Sequence, residues 1–458
     1  MRLRNWQHRA IETAIQKFES QFTHFLCLAT PGAGKTVMAS ALADILLKQG
    51  KVDLVLCFSP STFVANDFRV ELEAITGKRF CGGLGAIGSS LTYQSMRHLD
   101  DSFWQLLSSY RVFVIFDEIH HCAGNQIENA NAWGAEILKH IQGRAVYTLA
   151  LTGTPWRSDT IPIALANYVG DNNRLHVDYS YDLKQAIKDG VCRVPHLTLL
   201  DNELITVIED DDKRNFKSIT KFVEDSTLPY SEIIFHNEVL RETLKRGIVR
   251  LNKERLIAAD AGGLIVASSV SHAKKIQYLL SQLGEYGEVV TYQENEPERL
   301  IQNFKRSVKK WIISIGMISE GTNIPRLRVC CYLSLVTTEL YFRQVLGRVL
   351  RAQDNERGMG YFITPAHPRL LEFASRVSEE VPHCAVLKSS DTNETDDSDF
   401  PRSCMIIGDS SASVNPEITT RTIAEKEFDE SLRNDLLPLW YGSTIDSVGR
   451  FRHKVFML

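Results

Sequence analysis

The stretch Ala29-Thr-Pro-Gly-Ala-Gly-Lys-Thr36 lies between an apolar run, Phe22 to Leu28, and the series Val37, Met38, Ala41, Leu42, Ile45 and Leu46. That spacing gives a helix one apolar face, so the segment reads as strand, glycine loop, helix. Gly32 and Gly34 permit positive φ and close approach of backbone to a ligand. Lys35 supplies a compact cation, and Thr36 sets a hydroxyl beside a helix N-terminus whose free N–H groups attract phosphate. Pro31, Gly32, Ala33, Gly34, Lys35 and Thr36 are therefore the expected cradle for a nucleotide phosphate. The general phosphate-loop pattern asks for glycine five positions before the Gly-Lys pair, and Ala29 stands there instead.

The strands predicted around this loop are unbroken apolar runs rather than alternating ones: Asp53 to Phe58, Arg111 to Phe116 and Ala145 to Leu151. Such strands are buried on both faces, as in a parallel sheet covered by helices. A second alternating series begins at Leu264 and ends with the strand Tyr361 to Thr364, without a phosphate loop of its own. The expected fold is α/β, two tandem parallel-sheet domains with a C-terminal accessory tail. Residues 1–175 are expected to form the phosphate-loop domain, 176–260 a charged, mostly helical connector, 261–377 the second sheet domain, and 378–458 a linker and tail. In the tail, Ser389 to Ser398 reads as flexible linker. The amphipathic stretch Ile423 to Leu437 with Trp440-Tyr441 is a candidate surface for a protein partner.

The 52 basic and 56 acidic residues give a formal charge of −4, so a nucleic-acid partner would need a local basic surface rather than a global one. Nine cysteines are scattered without a Cys-x-x-Cys pair, which argues against a disulfide framework and a zinc site. The amino terminus lacks the apolar core of a signal peptide and no run reaches membrane-spanning length. A cytoplasmic protein without membrane contact is expected.

The strand Val112 to Phe116 runs into Asp117-Glu118-Ile119-His120. Ligands of open α/β sheets bind outside the carboxyl ends of the strands, here beside a phosphate cradle expected on the neighbouring strand. Asp117 is placed to hold Mg²⁺ with Thr36, and Glu118 to orient and deprotonate an attacking water. His120, His121 and Cys122 are adjacent, and adjacent side chains rarely converge on one ion. In the second domain a predicted helix from Leu340 carries Gln344, Gly347, Arg348 and Arg351. Their spacing places an amide and two guanidiniums on one helical face. Guanidiniums form forked contacts to phosphate oxygens and suit the stabilisation of charge on a transferred phosphoryl.

The ordered set resembles that of the superfamily 2 helicases and translocases of the DExH-box type, ATPases with two RecA-like domains that close on ATP and move along nucleic acid. The family's first motif commonly reads Ala-x-x-Gly-x-Gly-Lys-Thr, which accounts for Ala29. Asp117 to His120 resembles its DExH box, Thr152-Gly-Thr-Pro155 its third motif, Ser319 to Pro325 its fifth, and Gln344 to Arg351 its sixth. The resemblance covers Leu3 to about Thr364.

It implies ATP and Mg²⁺ as cofactors, Gln7 as an adenine contact, Arg348 and Arg351 as arginine fingers, and Gln344 as a contact to the γ-phosphate or attacking water. It further implies that Ser59 to Thr62, Thr92 to Ser95, Ser268-Ser269 and Gly321-Thr322 contact the nucleic-acid backbone, which carries no sequence preference. Val345, where the RNA-processing branch prefers Arg, and Thr-Gly-Thr-Pro-Trp-Arg157 favour the restriction-type and repair branch, hence double-stranded DNA over RNA. An RNA-dependent ATPase and a nucleotide-gated clamp subunit of a restriction or defence assembly stand as the alternatives.

Overall fold

The computed structural model describes residues 3–153, 161–169, 174–209, 212–291, 293–294, 296–316, 324–352, 358–380, 386–389, 443–447 and 451–457. The chain divides into two compact units, one ending at Cys192 and one starting at Arg193.

The first unit opens with helix α1 (Asn5–Glu19), which buries Trp6, Ala10, Ile11, Ala14 and Phe18. Trp6 stacks on Tyr181 with ring centroids 4.8 Å apart. The strands are β1 (His24–Ala29), β2 (Leu54–Ser59), β3 (Gly88–Thr92), β4 (Val112–Phe116), β5 (Tyr147–Thr152), the short antiparallel pair β6 (Tyr168–Val169) and β7 (Arg174–Leu175), and β8 (Tyr179–Tyr181). Helix α2 (Lys35–Lys48) follows β1 and α3 (Thr62–Thr76) follows β2. The main sheet has the order β3-β2-β4-β5-β1-β8, and every pairing in it is parallel. All five residues of β4 are buried, as its unbroken apolar run requires. Leu26, Phe58, Tyr93, Val114, Phe116 and Ile137 belong to one core cluster of this unit.

Two features depart from the sequence analysis. The strand carrying Asp117 is not the neighbour of the strand carrying the phosphate loop, because β5 lies between them and pairs with both. The end of β5, Thr152-Gly153, is thereby brought into the site. The edge strand β3, at Gly88–Thr92, is not among the strands that the apolar runs predict. A side chain at Gly88 would place its Cβ 1.8 Å from the Val55 carbonyl oxygen, so glycine here marks close strand approach and hides the strand from a propensity reading.

The second unit begins with β9 (Val194–Asn202), β10 (Ile205–Glu209) and β11 (Asp212–Phe216), then the long helix Asn237–Ile257. Its parallel series is β12 (Gly262–Ala267), β13 (Gly287–Val290), β14 (Trp311–Ser314), β15 (Leu327–Leu333) and β16 (Met359–Pro365), with helices Val270–Gln282, Pro297–Arg306, Glu339–Val349 and Pro368–Glu380. Strands β17 (Val386–Ser389), β18 (Ser443–Ser447) and β19 (Phe451–Met457) complete the described residues. The large sheet has the order β13-β14-β12-β15-β16-β9-β19-β17, parallel from β13 to β9 and antiparallel beyond. A smaller antiparallel sheet, β11-β10-β18, packs Ile205, Val207 and Phe216 with Ile219, Phe222 and Val239.

The stretch read as a charged helical connector thus supplies β8 to the first sheet and β9 to the second, besides its long helix. Of the tail, the described strands pair into the sheets of the second unit. The linker after Ser389, the amphipathic stretch Ile423 to Leu437 and Trp440-Tyr441 lie outside the described residues. Among the described residues no helix is long and apolar enough to cross a membrane.

Candidate functional site

Gly32 and Gly34 both adopt positive φ, 87° and 95°. Gly34 is the N-cap of α2 in the left-handed region and offers the first-turn N–H groups no side-chain acceptor. A Cβ there would also lie 3.0 Å from Gln7 Nε2, because the start of α1 is bound to the loop. Gln7 Nε2 donates to the Gly34 carbonyl at 2.9 Å, and the Arg4 guanidinium donates to the Ala33 carbonyl at 2.8 Å. The Arg4 N–H donates to Gln7 Oε1 at 2.8 Å, and the Gln7 N–H donates to the Arg4 carbonyl at 3.0 Å. Gln7 is buried, and in this structure its amide holds the loop in shape. Pro31 and Thr36 are half-buried and Ala33 is buried. The buried Lys35 ammonium donates to the Ala29 carbonyl at 3.1 Å and stands 3.4 Å from Glu118 Oε1.

Asp117 and Glu118 follow β4 directly. The Asp117 N–H donates to the Phe58 carbonyl at 2.9 Å, the Asp117 carbonyl accepts from the Tyr93 hydroxyl at 2.7 Å, and Asp117 Oδ1 accepts from the Glu118 N–H at 3.1 Å. Glu118 sits at φ 49°, ψ 52°, a left-handed conformation uncommon for a residue with a side chain. Such strain persists where its surroundings impose it. Here the Gly153 N–H donates to Glu118 Oε2 at 3.3 Å, and His120 Nδ1 lies 3.4 Å from the same oxygen and 2.9 Å from Thr152 Oγ1. Burial would raise the Glu118 carboxyl. The charges of Lys35, His120 and His121, with the Gly153 N–H, outweigh it and hold the group down at about 2. Glu118 is thus a carboxylate at neutral pH, with its charge placed against Lys35.

The amide and guanidiniums of the sixth motif are only partly arranged as the spacing predicts. Gln344 and Arg348 lie buried on the helix Glu339–Val349, but Leu350 is its C-cap and Arg351 lies beyond it. The three groups do not share one helical face. Carbonyls at the end of this helix are bonded by Arg193, which sequence reasoning missed. The Arg193 N–H donates to the Leu350 carbonyl at 2.6 Å, and its guanidinium donates to the carbonyls of Val349, Leu327 and Pro325 at 3.2, 2.8 and 3.1 Å. Arg193 is fully buried, and its neighbours on both sides, Cys192 and Val194, give no sequence pattern that singles it out. Of the fifth motif, Ile324 and Pro325 are described, while Ser319 to Asn323 lie outside the described residues, as do Thr154 and Pro155 of the third motif and the Trp156-Arg157 that follow it.

The segments that resemble nucleic-acid contacts are engaged as turn and cap residues. Ser61 caps α3 by accepting from the Val64 N–H at 3.3 Å, and Thr92 accepts from the Ser95 N–H at 3.2 Å. Gln94 Nε2 joins the two segments by donating to the Pro60 carbonyl at 3.1 Å. Tyr93 is fully buried and so faces the core rather than a ligand surface. In the second unit Ser268 donates to the Leu333 carbonyl at 3.0 Å, and Ser269 accepts from the His272 N–H at 3.1 Å.

A parallel sheet with a glycine-lined phosphate loop, a lysine and an acid pair in contact across its strand ends, followed by a second parallel sheet, defines two tandem RecA-like domains. The comparisons with known proteins agree. Residues 1–157 match the model of the type III restriction enzyme res subunit, and residues 248–353 match the helicase conserved C-terminal domain. The chain is similar to an uncharacterised protein of Mycobacterium leprae, 29% identical over 399 residues, covering 83% of this chain and 65% of that protein. It is also similar to a DNA 3'-5' translocase of Sulfurisphaera tokodaii, 21% identical over 388 residues, covering 77% of this chain and 80% of that protein. The chain therefore spans slightly less than two thirds of the length of its mycobacterial relative.

Among solved structures, the fragment of a putative HsdR subunit of a type I restriction enzyme from Vibrio vulnificus superposes with a TM-score of 0.53 at 18% identity, over 81% of this chain and 65% of that one. The type ISP restriction-modification enzyme LlaBIII bound to DNA gives 0.51 at 15% identity, over 80% and 28%. Yeast Dbp5 bound to RNA gives 0.50 at 12% identity, over 82% and 87%. Two stretches of the chain thus match helicase-type family models, the first of the restriction-enzyme res kind and the second the helicase C-terminal domain.

Proposed function

We propose that the chain hydrolyses ATP to move along or unwind DNA, with the double-stranded form as its substrate. The observation that carries this reading is the contact of the Lys35 ammonium with Glu118 at 3.4 Å, beside a loop whose helix N-terminus has no side-chain cap. A phosphate-binding cation and a water-activating carboxylate there lie within reach of one ligand.

The roles follow from the chemistry of each group. Pro31 to Thr36 wrap the phosphates, and Lys35 moves from Glu118 to the phosphate oxygens when nucleotide enters. That movement removes the largest charge holding the Glu118 carboxyl low, so Glu118 gains basicity as its substrate arrives. Gln7 reads adenine while its other amide contacts keep the loop closed. The hydroxyl of Thr36 and the carboxylate of Asp117 form a hard oxygen donor pair suited to Mg²⁺, which retains waters in its shell. When bound, Mg²⁺ supplies charge neutralisation at the phosphate oxygens. Gln344, Arg348 and Arg351 are assigned to the γ-phosphate and attacking water in the transition state.

DNA is favoured over RNA by the restriction-type family model on residues 1–157 and by the DNA translocase among the relatives. The test is ATP turnover titrated in parallel with duplex DNA, single-stranded DNA and RNA. Turnover is expected to rise most steeply with duplex DNA, and stimulation by RNA alone would transfer the reading to an RNA-dependent ATPase. Turnover indifferent to every nucleic acid would leave a nucleotide-gated clamp.

A further inference from the structure

The main-chain amide of Asp117 is held at its carbonyl end and its amino end by the two segments that precede it in the sheet. Its N–H donates to the Phe58 carbonyl, at the end of β2 and next to Ser59-Pro60. Its carbonyl accepts from the Tyr93 hydroxyl at 2.7 Å, at the end of β3 and next to Thr92 and Gln94. Gln94 is exposed and ties its own segment to Pro60. Three strand ends are therefore joined by side-chain and main-chain bonds running from the surface to the acid pair.

The Tyr93 hydroxyl donates to the Asp117 carbonyl from a fixed place in the core. Tyr93 is fully buried, stacked on Trp133 with centroids 5.6 Å apart, and its phenol is pushed above the ordinary tyrosine range by burial, so it keeps its proton at neutral pH. Moving the end of β3 by a fraction of an ångström would stretch this bond or drag the Asp117 carbonyl with it. Packed interiors transmit such shifts rather than absorb them. Because Glu118 follows Asp117 in a strained left-handed turn, its carboxylate is aimed by the same peptide.

We propose that Tyr93 is a positioning residue that couples engagement of DNA at the ends of β2 and β3 to the aim of Asp117 and Glu118, and so sets how strongly DNA accelerates ATP turnover. The inference rests on the reading of the chain as a DNA-stimulated ATPase. It requires no contact between Tyr93 and either ligand.

The test is Tyr93→Phe in the full chain, which deletes one oxygen and keeps the ring against Trp133. ATP turnover is measured as a function of duplex DNA concentration for wild type and variant, alongside thermal denaturation of both. The expected result is a DNA-saturated kcat lowered about two- to tenfold, the range one hydrogen bond commands, with the half-saturating DNA concentration and the KM for ATP within twofold. A purely structural role would instead lower the melting temperature and scale all rates alike. Gln94→Ala, a surface change outside the core, provides the second variant and should lower the same saturated rate. Full stimulation in Tyr93→Phe overturns the inference while leaving the ATPase reading intact. Absence of stimulation in the wild type overturns both.

Discussion

Each unit of the molecule has a parallel strand leading into a helix, and the two crossings differ in a way that explains why only one is fitted for phosphate. In the first, β1 leads to α2 through a loop ending at Gly34, left-handed and without a side chain to bond the first-turn N–H groups. In the second, β12 leads to the helix Val270–Gln282 through Ser268-Ser269. Ser269 accepts from the His272 N–H at 3.1 Å, and the Ser268 N–H donates to His272 Nδ1 at 3.2 Å. The same architecture is open to an anion in one unit and sealed by its own side chains in the other. Architecture positions a helix N-terminus; the cap residue decides whether a ligand can use it.

The groups proposed for hydrolysis provide the largest tests of that contrast. Arg348→Ala should lower kcat by about 10³ to 10⁵ with little change in equilibrium ATP binding, because a finger acts on transition-state charge. A loss confined to affinity would remove the finger role. Glu118→Gln should lower kcat by about 10² to 10⁴, and retention of more than a tenth of turnover would reassign the base. Lys35→Ala should instead show its loss first in ATP affinity.

Exchanging the caps addresses the comparison itself. Gly34→Ser places a side chain at φ 95° and toward Gln7 Nε2, so ATP affinity should fall about tenfold or more, measured by titration calorimetry. Ser269→Ala should leave ATP affinity alone and destabilise the second unit by about 1 kcal/mol in denaturant unfolding. A change in nucleotide affinity in the second variant would break the distinction drawn between the crossings.

A separate effect concerns pH. Burial, with Lys275 adding to it, lowers His272 to about 3, and burial likewise lowers His24 in the first unit to about 4. Between these values and the ordinary 6.5 the unfolded chain binds protons that the folded one refuses. Stability from these two sites is therefore intact above about 6.5 and declines as pH falls toward 4, by at most about 1.4 kcal/mol per site per pH unit. His272→Gln should flatten the slope of unfolding free energy against pH over that range. An unchanged slope would show that His272 is not held neutral.

Much of the site was legible because it is local. Residues 31–36 must be consecutive to make a loop at a helix N-terminus, and Asp117-Glu118 must end a buried strand, so both left periodic and compositional marks. Arg193 left none, since its three carbonyl partners come from residues far along the chain. Strand β3 was hidden by the glycine its close approach to β2 demands, and Arg351 was drawn onto a helix because spacing alone cannot see that the helix ends at Val349.

The sequence by itself determined the class of fold, the glycine loop at a helix N-terminus and the acid pair at the end of a buried strand, since these rest on backbone conformation and burial patterns that neighbouring residues dictate. Only the tertiary structure decided that β5 intervenes between the two halves of the site, that Glu118 is held ionised against Lys35, and that Tyr93 grips the Asp117 peptide. Those features depend on strand order and on contacts between segments far apart in the chain, and neither is written in any single stretch of residues.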